Sequence, residues 1–80
     1  MYYLYLLECE DGTIYTGITN DLERRLKAHQ EKRGARYTRA RGAKRMIHTE
    51  AFATKSEALR REIEVKGWTR QEKLHLVFKV

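Results

Sequence analysis

Five side chains stand where packing alone would not have placed them: Tyr5, Tyr15, Arg25, His29 and Glu62. Arg25 and His29 are one helical turn apart and lie beside an apolar stripe, not opposite it. Burying such groups costs free energy unless a partner is waiting; otherwise their heads reach solvent from the edge of the stripe. Glu62 falls inside the apolar arc of a second helix, and a carboxylate there asks for a cation or a proton. A metal ion and one of the many arginines are equal candidates for that role. Tyr5 and Tyr15 lie on two strands that should pair; tyrosine there is ordinarily core with a wet hydroxyl. No paired carboxylates, Ser/His/Asp set, Cys/His zinc spacing or phosphate-cradling glycine loop competes with these five.

The elements that must position them follow from local pattern. Residues 2–9 are aromatic and aliphatic without helical period, which predicts a buried strand with Tyr3, Tyr5 and Leu7 on one face and Leu4 and Leu6 on the other. Asp11-Gly12 predicts a tight hairpin turn, and residues 13–18 the antiparallel return strand. Asn20, with Glu23 three residues on, predicts a capped helix start. Leu22, Arg25, Leu26 and His29 then share one face, with Arg24, Lys27 and Glu31 on the other. Residues 32–45 are basic and glycine-punctuated, with little to bury, and predict a mobile cationic excursion holding at most a turn of helix. A third strand is expected over 46–52, with Ile47 on one face and Met46 and His48 on the other. Thr54 and Glu57 predict a capping box opening a helix that stops at Gly67, its apolar arc marked by Ala58, Leu59, Ile63 and Val65. Thr69 and Glu72 repeat the signature before a last helix in which Leu74, Val77 and Phe78 share a face, although the terminal residues also alternate as a strand would. The sum is an α+β fold, a small three-stranded antiparallel sheet flanked by helices.

Composition sets the outer limits. The 80 residues predict one small domain, 1–80, with a single core and no room for a second functional unit. Lys and Arg exceed Asp and Glu by 17 to 11, a formal charge of +6 that favours polyanionic partners, nucleic acid first and anionic membrane surface second. Cys9 is the one cysteine and cannot form an internal disulfide; it reads as a small buried hydrophobe. With no secretory leader and no apolar run long enough to span a bilayer, the expected location is the cytoplasm, without membrane attachment.

At these positions the sequence resembles the GIY-YIG nucleases, in particular their small stand-alone bacterial branch. The family's first tripeptide is met by Tyr3-Leu4-Tyr5 and its second by Tyr15-Thr16-Gly17. The family's arginine and, four residues on, its histidine match Arg25 and His29. Its metal-binding glutamate, in a pattern of Ala, three residues and Glu, matches Ala58 to Glu62. The likeness runs from residue 3 to about 66. Leu4 and Thr16 replace the isoleucines of the name and Tyr3 its first glycine. The late asparagine of many relatives is missing: the corresponding stretch is Trp68-Thr69-Arg70, and Asn20 is the one asparagine in the chain.

The resemblance implies hydrolysis of DNA phosphodiester bonds with one divalent cation, Mg²⁺ or Mn²⁺, bound at Glu62. Arg25 would stabilise the extra charge on the phosphate, a task suited to a bidentate guanidinium. Tyr5 or Tyr15 would help to deprotonate the attacking water, with His29 hydrogen-bonded nearby. A free tyrosine with a pKa near ~10 is phenolate about one part in a thousand at neutral pH, so its pKa must fall or its proton must be passed on. Gly17 would let the backbone turn or approach closely. Substrate choice would come from the basic excursion, with Arg33, Arg36, Arg39, Arg41, Lys44 and Arg45 tracking phosphates and Tyr37 stacking on a base, or from self-association or a protein partner. The leading expectation is therefore a metal-dependent DNA endonuclease, acting on branched or single-stranded DNA in repair or recombination. The alternative is a non-catalytic module that binds DNA or structured RNA with the nuclease fold. A third is an interaction protein whose charge serves solubility alone.

Overall fold

The computed structural model describes residues 1–33 and 36–78, with the backbone alone at Tyr37. In chain order the elements are β1 (Tyr2–Cys9), β2 (Ile14–Thr19), α1 (Leu22–Gln30), α2 (Arg36–Arg41), β3 (Ala43–Phe52), α3 (Lys55–Lys66) and α4 (Arg70–Phe78). The sheet has the order β2-β1-β3, with β1 antiparallel to both neighbours. This accounts for the unbroken apolar run of β1: the strand lies in the middle of the sheet, and Leu4, Tyr5, Leu6 and Leu7 are all fully buried. Each such residue withdraws apolar surface worth roughly 1.5–3 kcal/mol from water, which makes β1 the anchor of this small core.

The two faces of β1 serve different purposes. Leu4 and Leu6 join Ile14 and Val65 in the apolar cluster, with Ile18, Ile47, Phe52, Trp68, Leu74, Leu76 and Val77 packed around it. Tyr5 points the other way, towards His29 of α1. Helices thus cover both sides, α3 and α4 over the leucines and α1 over the tyrosine. The hairpin between β1 and β2 closes through Cys9 N–H to Thr13 O at 2.9 Å and Gly12 N–H to Cys9 O at 3.0 Å. Gly12 has φ +85, a left-handed turn position that suits a residue without Cβ. Cys9 is buried as expected, and burial pushes its thiol up.

Several local expectations need correcting. The cap of α1 is Asp21, whose carboxylate accepts from Arg24 N–H at 3.0 Å; Asn20 is exposed one residue earlier. Asp21 is held for this by its own N–H, which donates to Thr19 Oγ1 at 3.1 Å. Strand β3 starts at Ala43, not Met46, because its polar first residues are recruited by pairing with β1 and not by their own apolarity. A register shift between Leu6 and Leu7 then breaks the alternation of β3, so that Ile47 packs on the leucine cluster beside His48, which pairs with Leu6. The expected excursion contains the ordered helix α2, whose Thr38 is fully buried.

On α3 the capping box of Thr54 and Glu57 is present in both directions. Its inward face, however, is Ala58, Arg61, Glu62 and Val65, while Leu59 is 38 % and Ile63 73 % exposed. Residues 70–78 are helical and not a strand, opened by Glu72 N–H to Thr69 Oγ1 at 3.2 Å and Thr69 N–H to Glu72 Oε1 at 2.8 Å. Leu74 and Val77 pack inward as expected, but Phe78 is 67 % exposed.

Candidate active site

The site is assembled from β1, β2 and α1, with α2 behind it and α3 at its side. Gly17 pairs with Tyr5 across the hairpin, and a Cβ at Gly17 would lie 2.5 Å from Tyr5 Oη and 2.7 Å from Tyr5 Cζ. The end of the Tyr5 phenol therefore lies against Gly17 of β2, in space that only glycine leaves open. From there Tyr5 Oη is 2.8 Å from His29 Nε2 and accepts from Arg25 Nε at 3.2 Å. Arg25 and His29 reach it because they are one turn apart on the same face of α1. His29 Nδ1 in turn is 2.7 Å from Thr38 Oγ1. Tyr15 closes the cluster, with its ring centroid 6.2 Å from Tyr5 and 5.5 Å, edge-on, from His29.

The proton positions follow from what each atom can do. Tyr5 is fully buried, and of its two hydrogen-bond neighbours Arg25 Nε is a donor only. His29 Nε2 must accordingly accept the Tyr5 proton. That leaves the imidazole proton on Nδ1, donated to Thr38 Oγ1. The opposite tautomer would strand a buried hydroxyl without an acceptor, at a cost of about 1–3 kcal/mol.

Charge is distributed to match. Burial and, next, the Arg25 guanidinium pull His29 down to about 4, so the imidazole is neutral at pH 7. Burial raises Tyr5, outweighing the hydrogen bond and charge of Arg25; the neighbouring Tyr15 and Glu62 raise it further. Arg25 is held protonated by its hydrogen bond to Tyr5, with a smaller contribution from Tyr15. Of the two routes open to a tyrosine base, a lowered pKa is not the one seen at Tyr5, where desolvation outweighs Arg25.

Glu62 sits on the inward face of α3 with its side chain 14 % exposed, and its charge is felt at Tyr5. Its ion-pair partner is Lys66, one turn on, at 3.4 Å. Among the described residues no three His, Cys, Asp or Glu side chains converge as a metal cage. A lone half-buried carboxylate suits a hard cation that keeps most of its waters, such as Mg²⁺ or Mn²⁺, and does not suit zinc.

The basic residues expected to follow nucleic acid are dispersed. Arg36, Arg39 and Lys44 are exposed. Arg33 pairs with Glu31 at 2.6 Å and Arg41 with Asp11 at 2.9 Å. Arg45 pairs with Glu8 at 2.9 Å and lines a cleft against Leu74 and Phe78 of α4, away from the tyrosines. The side chain of Tyr37 lies outside the described residues. Two features escaped the sequence reading. Thr38 gave no signal, being one hydroxyl in a run of cations. The other is a polar tie under α3: Arg61 binds Glu50 through Nε at 2.9 Å and Nη2 at 3.2 Å, His48 Nε2 lies 2.8 Å from the same carboxylate, and the guanidinium stacks 5.1 Å from the Trp68 ring. The i, i+2 spacing of His48 and Glu50 on one strand face was the available clue.

Comparison with known proteins decides the lineage, because residues 1–75 match the GIY-YIG catalytic domain. The chain belongs to the GIY-YIG family. It is 51 % identical over 76 residues to the UPF0213 protein BH0048 of Halalkalibacterium halodurans, covering 95 % of this chain and 81 % of that one. It is 53 % identical over 72 residues to the UPF0213 protein SAG0778 of Streptococcus agalactiae, covering 90 % and 82 %. The solution NMR structure of BH0048 superposes with a TM-score of 0.60 over 96 % of this chain and 83 % of that one. That of EF2693 from E. faecalis, 47 % identical, gives 0.60 over 90 % and 77 %. This GIY-YIG chain is therefore a small bacterial-type member of a nuclease family, with nucleic acid as the implied substrate class and divalent metal as the family's general requirement. None of its described helices is long and apolar enough to cross a membrane.

Proposed function

We propose that this chain is a metal-dependent DNA endonuclease whose single domain carries the whole site. The observation that supports the reading best is the convergence on Tyr5 of Arg25, His29, Tyr15 and the charge of Glu62, from three separate elements. Arg25 presents to the scissile phosphate the guanidinium nitrogens that Tyr5 does not use. Glu62 is the residue to hold the divalent ion, which when bound supplies charge neutralisation and a more acidic water. Lys66 must then release the Glu62 carboxylate.

Exposure divides the two phenols. Tyr5 is enclosed, whereas Tyr15 is half-buried. On this reading Tyr15 takes the proton of the attacking water, which its greater exposure supports, and Tyr5 and His29 hold Arg25 in line. A second reading assigns the base to Tyr5, because its own proton already has an acceptor 2.8 Å away on His29. Tyr15→Phe and Tyr5→Phe separate the two: the first division of labour expects the larger fall in cleavage rate, on the order of 10²-fold, in Tyr15→Phe.

The natural target is proposed to be branched or single-stranded DNA in repair or recombination, met through Arg36, Arg39 and Lys44, with the protein acting in the cytoplasm. Cleavage of supercoiled, branched and single-stranded DNA and of structured RNA with Mg²⁺ or Mn²⁺ tests the assignment. Activity should vanish in Glu62→Ala and Arg25→Ala. Cutting that persists in both variants would mean a contaminating nuclease; retention of nucleic acid without any product would leave a binding module.

A further inference from the structure

Helix α2 carries Arg36, Arg39 and Arg41 in six residues, yet among its described side chains only Thr38 is buried. Among the described side chains, the buried point of attachment of this cationic helix is therefore a hydroxyl, at a position where valine would have the same shape and bury more apolar surface. That hydroxyl meets His29 Nδ1 at 2.7 Å. Beyond it runs an unbroken sequence of contacts: His29 Nε2 to Tyr5 Oη at 2.8 Å, and Tyr5 Oη to Arg25 Nε at 3.2 Å. Thr38, His29 and Tyr5 are all fully buried, so water cannot replace any of these partners in place. The outer side of α2 is otherwise tied to the hairpin by Arg41 to Asp11 at 2.9 Å, and its end by Glu10 N–H to Gly42 O at 2.9 Å.

We infer that Thr38 is a positioning residue that fixes His29 as the Nδ1-protonated tautomer and, through Tyr5, orients the Arg25 guanidinium, so that docking of the basic helix α2 is a condition for a competent site. The inference deepens the endonuclease reading and rests on it for its functional meaning. The physical logic is a chain of single-valued choices. If Thr38 Oγ1 accepts from Nδ1–H, Nε2 is free to accept from Tyr5. Tyr5 then turns its remaining oxygen lone pair to Arg25 Nε, and the guanidinium plane is set. Without the Thr38 hydroxyl, Nδ1–H is stranded in a dry site; the ring must turn or change tautomer, or α2 must lift to admit water. Nucleic acid held across Arg36 and Arg39 favours the docked position of α2 and hence the ordered guanidinium, and by linkage the two are reciprocal.

Thr38→Val removes the hydroxyl at nearly constant shape and Thr38→Ser restores it. The ring nitrogens of His29 and the Nε–H of Arg25 are read by ¹⁵N NMR at neutral pH, together with amide exchange across residues 38–42, all without DNA or metal. Wild type and Thr38→Ser should show a neutral Nδ1-protonated ring and a slowly exchanging Arg25 Nε–H. Thr38→Val should shift the ring nitrogens and speed exchange of Arg25 Nε–H and of α2 by about tenfold or more. On cleavable DNA, Thr38→Val should lower kcat by about tenfold with KM changed less than about twofold, and serine should recover most of the loss. Wild-type His29 protonated on Nε2, a valine variant with unchanged spectra and exchange, or a serine variant as defective as valine would each overturn the inference. Should Thr38→Val fail to fold, the wild-type tautomer and the serine variant still decide. If wild type cuts nothing, the endonuclease reading falls, while the spectra alone retain or reject the role of Thr38.

Discussion

Gly17 is the residue on which the site turns most sharply. Adding a methyl group there sets a carbon 2.5 Å from Tyr5 Oη and 3.0 Å from Tyr15 Cε2, so Gly17→Ala must displace the Tyr5 phenol from β2 and crowd the Tyr15 ring. The expected result is loss of cleavage with stability lowered by about 1–3 kcal/mol, measured by urea unfolding. Full activity in that variant would mean that the phenol has another resting place. His29 makes a prediction of opposite kind, about pH. Its folded pKa is lowered to about 4 against 6.5 for the free side chain, so between those values the unfolded chain takes up a proton that the native protein refuses. Stability is complete above about pH 6.5 and falls as the pH drops towards 4, by an amount of order 3 kcal/mol at most. Asp11, held down at about 2 by Thr13 and Arg41, titrates below that window. Unfolding midpoints of wild type and His29→Gln across pH 5–7, above the range where Glu50 and Glu72 give up their stabilising charge, should show the slope in the first and its loss in the second.

Among the elements, α3 decides where Glu62 stands, and α3 is located by Arg61 on Glu50 of β3. Arg61→Met removes both hydrogen bonds and leaves the half-buried Glu50 with His48 alone. A loss of about 1–3 kcal/mol is expected, part of it recovered when Glu50→Gln is added. An additive double variant in chemical unfolding would show that the pair does not hold the helix. The legibility of these elements followed the range of the forces involved. Thr54 with Glu57 and Thr69 with Glu72 were readable because a cap is settled within four residues. The side of β1 that holds Tyr5 was readable because a strand alternates. The start of β3 was not, since Ala43, Lys44 and Arg45 are extended only by pairing with β1. The inward face of α3 was misread because Leu59 and Ile63 obey the same helical spacing as Ala58, Glu62 and Val65, and only packing against β1 and β2 chooses between the two sets. Tyr5, Tyr15, Arg25, His29 and Glu62 were singled out by type and spacing together with their match to the family's motifs; Thr38 was not, because its burial depends on a helix whose composition is that of a solvated segment.

At the scale of the whole molecule, the +6 charge is less evenly available than its composition suggests. Arg45 and Arg41 are matched by Glu8 and Asp11, whereas Arg36 and Arg39 project from α2 into solvent. Binding to nucleic acid should weaken steeply with salt, and the logarithmic slope should fall by about 0.9 for each of Arg36→Ala and Arg39→Ala on duplex DNA. Arg45→Ala should leave that slope unchanged in fluorescence anisotropy titrations, and Glu62→Ala should not weaken binding. Equal effects from Arg45 and Arg36 would place the nucleic acid on the α4 side instead. Cys9 lies where the first hairpin meets the beginning of β3, opposite Ala43, and is 1 % exposed. A thiol reagent in native buffer can therefore label the chain only while that corner is parted, so the alkylation rate serves as a stopwatch for breathing of the α2 end. If bound DNA clamps α2, the stopwatch should slow.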